Sequence, residues 1–220
     1  MIKKILTAAA IGAAALGAQA SSNLVANGGF DGTTSSYVYN AAPASVTTYY
    51  GSVPTQAGTV ADWTGSFVSI ASNSSPWGNP SSQANFNAAT FGGYVAGVQA
   101  DGVLSQTLAL NAGTYLLSWS DANRSGSGSN QSYAVSFDGV TYQSFATAAG
   151  NGWNTESIVF TLGQATTGAL SFTGLTSYKN TDATSFIDNV SVSAVPEPAS
   201  LLMMAVGTLG LLAWRRRSQA

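Results

Sequence analysis

The stretch SYAVSFDGVTYQSF, residues 132–145, alternates apolar and polar side chains with the period of a β-strand. Tyr133, Val135 and Phe137 fall on one face, Asp138-Gly139 is a two-residue turn signal, and Val140 and Tyr142 resume on the far side. A hairpin is predicted. The same period runs outward from it. VLSQTLAL (103–110) sets Leu104, Gln106, Leu108 and Leu110 on one face; after Asn-Ala-Gly, TYLLSWS (114–120) sets Tyr115, Leu117 and Trp119 on one face, so this pair is also expected to form a hairpin. SIVFTL (157–162) offers Ile158, Phe160 and Leu162, and GALSF (168–172) offers Leu170 and Phe172. SFIDNVSVS (185–193) offers Phe186, Val190 and Val192. Short strands at roughly ten-residue spacing, with no long amphipathic helix between residues 21 and 195, predict an all-β sandwich or barrel rather than a βαβ sheet.

Composition excludes several kinds of chemistry. The chain has no cysteine and no histidine, so disulfides, thiol nucleophiles, Ser-His-Asp triads and His- or Cys-bound zinc are ruled out. Between residues 21 and 195 the acids outnumber the bases eight to two. A nucleic-acid partner is therefore disfavoured, because phosphate binding requires a basic stripe. Glu156 is the only glutamate of that region, and Asp121 and Asp138 are its candidate partners for glycoside hydrolysis. Nothing in the spacing fixes the carboxyl separation such chemistry needs, and solvated turn acids are the simpler reading.

Both ends read as targeting signals. Lys3 and Lys4, an Ala-rich apolar run and Ala18-Gln19-Ala20 make residues 1–20 a signal peptide, a cleaved N-terminal helix, with Ser21 as the mature start. At the other end Pro196-Glu197-Pro198 precedes an apolar run over 199–214 and then Arg215, Arg216 and Arg217. Sixteen helical residues reach about 24 Å against a hydrocarbon core of about 30 Å, so a transmembrane helix here is short for its task. The arginines would stay cytoplasmic, leaving the domain outside.

Between these ends, residues 21–195 are expected to form one domain. Its long polar segment, SNSSPWGNPSSQANFNAAT (72–90), is expected to be a loop, the usual place for binding on such a fold. SGSGSN (125–130) reads as a hairpin tip or a crossing between strands. Sugar rings stack on flat aromatic faces, and Trp77 and Trp153 lie in turn-rich polar stretches, which makes them candidate glycan contacts; packing over a loop is the competing reading. Trp63 and Trp119 are expected in the core. Strand alternation sends Asp188 to the face of Phe186, Val190 and Val192. A carboxylate there needs a partner, a calcium ion, or a strand end where it accepts backbone N–H bonds.

Two resemblances follow from these residues. NLVANGGFD (23–31), DWTGSF (62–67) and FIDNVSV (186–192) resemble the start, early tryptophan and end of jelly-roll, carbohydrate-binding-module-like (galactose-binding-like) domains. That resemblance implies a jelly-roll β-sandwich and a structural calcium held by Asp31 and Asp188, beside Asn27 and Gly28, with Gly29 at a turn or bulge. The tail from 196 to 220 resembles the PEP-CTERM sorting signal. It implies transient insertion in the inner membrane, recognition and removal by exosortase, and delivery to the cell surface or extracellular matrix of a Gram-negative bacterium that makes exopolysaccharide. A non-catalytic polysaccharide-associated binding protein is the function expected. A purely structural surface or biofilm matrix protein and a carbohydrate-active enzyme are the alternatives.

Overall fold

A computed structural model describes residues 22–32, 37–40, 58–73, 77–86, 92–124, 130–148, 150–176 and 183–196, with Gly207. The signal peptide and, beyond Pro196, the sorting tail with its apolar run lie outside the described residues. No helix among the described residues is long and apolar enough to cross a membrane.

Ten strands are described. They are β1 (Tyr37–Tyr39), β2 (Val68–Ala71), β3 (Tyr94–Gln99), β4 (Val103–Leu110), β5 (Gly113–Asn123), β6 (Gln131–Phe137), β7 (Val140–Thr147), β8 (Asn154–Leu162), β9 (Thr166–Gly174) and β10 (Thr184–Ala194). One sheet runs β1-β2-β3-β10-β5-β8 and the other β4-β9-β6-β7, with antiparallel pairing throughout. The predicted all-β sandwich is what forms. The β6–β7 hairpin turns where expected: Asp138 and Gly139 take φ of 50° and 76°, as a two-residue turn requires, between the paired Phe137 and Val140.

The expected hairpin of 103–110 with 114–120 does not form. β4 pairs with β9, whereas β5 pairs with β10 and β8, so the Asn-Ala-Gly step carries the chain from one sheet to the other. The two strands lie in opposite sheets instead of sharing a ladder. Residues 125–129 lie outside the described residues; the strands that flank them, β5 and β6, also belong to opposite sheets.

The sheets bury one large core between them. Trp119, Tyr133, Phe137, Phe160, Leu170 and Phe172 meet there with Trp63 and Phe30, as alternation predicts for β5, β6, β8 and β9. A second core lies on the outer face of the six-stranded sheet. Val68, Ile70, Val95, Ala122 and Phe186 point outward and are capped by Trp77, Trp153 and Phe86. Gly97 is needed beneath that cap: a Cβ there would stand 2.8 Å from both Ile70 Cδ1 and Val68 Cγ1.

The two cores correct the expected orientation of β10. Its register against β5 slips between Asp188 and Ser191, a bulge that reverses the alternation. Phe186 and Asp188 therefore point to the outer face, while Ile187, Val190 and Val192 point to the inner core. β10 also changes neighbours at the bulge. Its first half pairs with β3; its second half meets the N-terminal segment, through Val190 N–H to Gly28 O at 3.0 Å and Leu24 N–H to Val192 O at 2.8 Å. Asn23 clamps that junction. Its Oδ1 accepts from Val25 and Val192 N–H, each at 3.0 Å, and its Nδ2 donates to Val190 O at 3.2 Å. Asn23→Ala removes all three bonds and is expected to lower stability by about 1–3 kcal/mol, seen as a lower urea midpoint with an unchanged slope.

Candidate functional site

Asp188 sits where β10 changes neighbours. Its side chain is 0 % exposed. Oδ1 accepts the N–H of Asn189 at 2.7 Å, and Oδ2 is buried with no hydrogen-bond partner. Burial first, and the nearby Asp31 charge after it, push its pKa up to about 8 against the pull of the Asn189 bond. Asn189 adopts a left-handed φ of 53°, a conformation asparagine tolerates.

Asp31 reaches the same place from the N-terminal segment. A Cβ added to Gly29 would lie 3.5 Å from Asp31 Oδ2 and 3.9 Å from Asp188 Oδ1, so both carboxylates flank one glycine. A Cβ on Gly92 would lie 2.9 Å from both Asp31 oxygens, so a side chain there would push that carboxylate aside. Asn27 and Phe30 make the turn that delivers Asp31, with left-handed φ of 47° and 57°. Such a conformation is strained for phenylalanine. It is offset by complete burial of the ring, 5.0 Å from Trp63. Asn27 Nδ2 donates to the Asp31 carbonyl at 3.1 Å, and Gly28 cannot carry a side chain because its Cβ would strike the Val190 carbonyl.

Asp31 and Asp188 are thus brought together, and among the described residues neither carboxylate pairs with a basic side chain. The described residues hold no cluster of three or more acids that could hold a metal ion by themselves. A cation here would take its further ligands from backbone carbonyls and amide side chains, a donor set that suits calcium.

Of the two readings of the candidate glycan tryptophans, packing is the one their burial matches. Trp77 is 8 % exposed and Trp153 is 3 % exposed. Trp77 meets Tyr37 edge-on at 5.1 Å. Trp153 stacks on Phe186 at 6.3 Å and donates its Nε1–H to Pro80 O at 3.0 Å. The polar segment makes a 3-10 turn at Pro80–Ser82; its Trp77, together with Trp153 from just before β8, caps the second core. Neither presents an open ring face. Trp63 and Trp119 pack in the inner core as expected.

Of the carboxylates considered for catalysis, Asp121 and Glu156 come near each other on the paired strands β5 and β8. Asp138 makes the hairpin turn, Glu156 is half-buried on edge strand β8, and Asp121 lies between the sheets at 2 % exposure. Asp121 is no solvated turn acid. Tyr133 donates its hydroxyl to Asp121 Oδ2 at 2.6 Å and accepts the Nε1–H of Trp119 at 2.8 Å. Burial and then the Asp121 charge push Tyr133 far up, so its hydroxyl keeps its proton. Burial raises Asp121 to about 6, with Glu156 adding to the rise while bonds from Tyr133 and Asn154 oppose it.

Residues 194–217 match the PEP-CTERM protein-sorting motif. No curated protein matches the chain. Solved structures with a similar fold include TmCBM61 in complex with β-1,4-galactotriose, 19 % identical over 61 % of this chain and 90 % of that one, with a TM-score of 0.39. The CBM22-1 xylan-binding domain of Paenibacillus barcinonensis Xyn10C is 12 % identical over 82 % and 99 %, with a TM-score of 0.45. A family 35 carbohydrate-binding module from Clostridium thermocellum is 21 % identical over 50 % and 85 %, with a TM-score of 0.37. At this level of similarity none of them says what this chain binds.

Asp121 gives a pH signature. Its folded pKa of about 6 stands above its ordinary 3.8, so across that window the folded chain holds more protons than the unfolded one. Its contribution to stability therefore falls as pH rises from about 4 to about 6 and is level above. Asp121→Asn is expected to flatten the melting temperature against pH over that window, measured by circular dichroism. A slope equal to that of wild type would contradict the assignment.

Proposed function

We propose that this chain is an exported, non-catalytic, polysaccharide-associated protein of a Gram-negative cell surface or extracellular matrix, sorted through exosortase. The observation that carries this reading is the sorting motif at 194–217. It begins where the sandwich ends: β10 stops at Ala194, and Val195 N–H still bonds to Thr114 O at 2.8 Å. The motif therefore follows the folded domain without a linker, so that a domain held by residues 199–214 would stand close to the membrane until release. Pro196, Glu197 and Pro198, with Arg215, Arg216 and Arg217, serve sorting in this reading. In an exosortase-bearing host, the chain with Arg215, Arg216 and Arg217 all changed to alanine is expected to accumulate unprocessed in the membrane fraction, while wild type is recovered outside without its tail. Equal release of both would contradict the sorting role.

A role without catalysis is supported by the enclosure of Asp121 between the sheets at 2 % exposure and its bond to Tyr133, where a saccharide does not reach the carboxylate. The second reading is a structural matrix protein with no small ligand. One observation favours it, the burial of Trp77 and Trp153, which makes both tryptophans loop fasteners.

The same proposal includes a structural calcium at Asp31 and Asp188. Its support is the orphaned Oδ2 of Asp188, the closeness of Asp31 and the lack of a basic partner for either. Bound between the chain ends, the ion would displace the proton that burial otherwise keeps on Asp188 and tie the N-terminal segment to β10. Calcium at a hundredfold excess over its Kd is expected to stabilise wild type by about 2.7 kcal/mol over the chelated protein. Asp188→Asn is expected to abolish that gain while keeping, in chelator near neutral pH, about wild-type stability, because burial already holds the ion-free carboxyl protonated and as uncharged as the amide. An unchanged melting temperature of wild type on chelation would remove the ion.

A further inference from the structure

We infer that the free edge of β4 carries a saccharide-binding notch; this rests on the polysaccharide-associated reading above and gives it a place. Half of that edge is covered. Thr64 and Ser105 exchange backbone bonds at 2.8 and 2.9 Å, and Val103 N–H bonds to Ser66 O at 3.0 Å. Backbone groups alternate sides along an antiparallel strand, so the N–H and C=O of Thr107 and Ala109 point to the same edge as those of Ser105. Among the described residues nothing pairs with them.

These open groups border a notch of about 230 Å³ between β4 and the N-terminal segment. Leu24, 41 % exposed, forms an apolar wall, and the Asp62 turn contributes a carboxylate. The walls are held in place before any ligand arrives. Gln106 fixes the back by accepting Ala26 N–H at 2.9 Å and donating to Ala26 O at 2.8 Å. The turn bearing Asp62 is pinned by Trp63 Nε1–H to Asn27 O at 2.8 Å and by Asn27 Nδ2 to Ala61 O at 3.1 Å.

A neutral sugar ring matches this arrangement. Its C–H face suits Leu24, and its hydroxyls, each donor and acceptor, suit alternating edge amides and carbonyls together with a carboxylate. The notch is smaller than the roughly 300 Å³ at which drug-sized pockets begin, so it fits a chain end or a single ring rather than a long oligosaccharide. A peptide strand fits poorly. Only Thr107 and Ala109 are open before β4 ends at Leu110, short of the roughly five residues of an ordinary strand.

The test is affinity electrophoresis of the full chain in mild detergent, through gels containing soluble galactan, xylan or dextran. Wild type is expected to be retarded by at least one of them. Asp62→Asn and Leu24→Ser, both at exposed side chains, are each expected to weaken that retardation about tenfold in apparent Kd with the melting temperature unchanged. Retardation equal to wild type in both variants overturns the notch and leaves the polysaccharide reading standing. Free migration of wild type in all three gels overturns both. A third measurement follows the Thr107 and Ala109 amides by NMR: shifts on adding the trisaccharide of the retarding polymer support the notch. Shifts only with an extended Val/Thr-rich peptide would make the edge a strand-docking site and sink the saccharide assignment.

Discussion

The two ends of the described chain lie side by side, and the bulge in β10 is what lets them do so. At Asp188 the strand leaves β3 and takes the N-terminal segment as its neighbour. The extra residue of the bulge turns Val190 and Val192 into the core and Asp188 away from it. Without that reversal two valines would face outward, or a carboxylate would face the aromatic core, and either would cost several kcal/mol. Asn23, Gly28 and Phe30 are the residues that fit the N-terminal segment to this junction.

The closure leaves a buried acid that the fold does not satisfy by itself. Asp188 has one bonded oxygen and one orphan, with a second carboxylate close by. Asp121, the other fully enclosed acid described, is served differently, by a tyrosine that cannot ionise and a tryptophan behind it. Each keeps one oxygen without a partner, Asp121 Oδ1 and Asp188 Oδ2; what separates them is place, Asp121 in a polar chain between the sheets and Asp188 beside a second carboxylate, where an outside cation would complete the bonding.

Much of the sandwich was legible because period-2 alternation reports burial directly. It placed Ile158, Phe160, Leu170 and Phe172 inside and marked the Asp138-Gly139 turn. It failed where something other than local pattern decides. Asn-Ala-Gly after β4 is as good a sheet-to-sheet step as a hairpin turn, and only long-range pairing distinguishes them. A bulge carries no strong local mark, so the alternation was carried through Asn189 unbroken and set Phe186 on the wrong face. Trp77 and Trp153 looked exposed because their neighbours are polar, yet the sheet's outer face is apolar at Val68, Ile70 and Phe186 and draws both rings onto it. The Tyr115, Leu117, Trp119 alternation, extended by one step, would have placed Asp121 inside. Asp31 with Asp188 came from a resemblance to a family and not from spacing, and the structure brings the two side chains together.

In the proposed reading the work of this chain is divided between its parts: the tail would address it, the paired chain ends hold the domain shut, and the notch at β4 would offer the saccharide contact that the buried tryptophans do not. The central claim is that closure of the chain ends is completed by a cation at Asp31 and Asp188. Amide chemical shifts followed while calcium is added to the chelated protein test it most directly. The expected result is a saturable change confined to residues 27–32, Gly92, Gly93 and 188–190. Shifts spread weakly over surface acids, or none at all in that set, would contradict it.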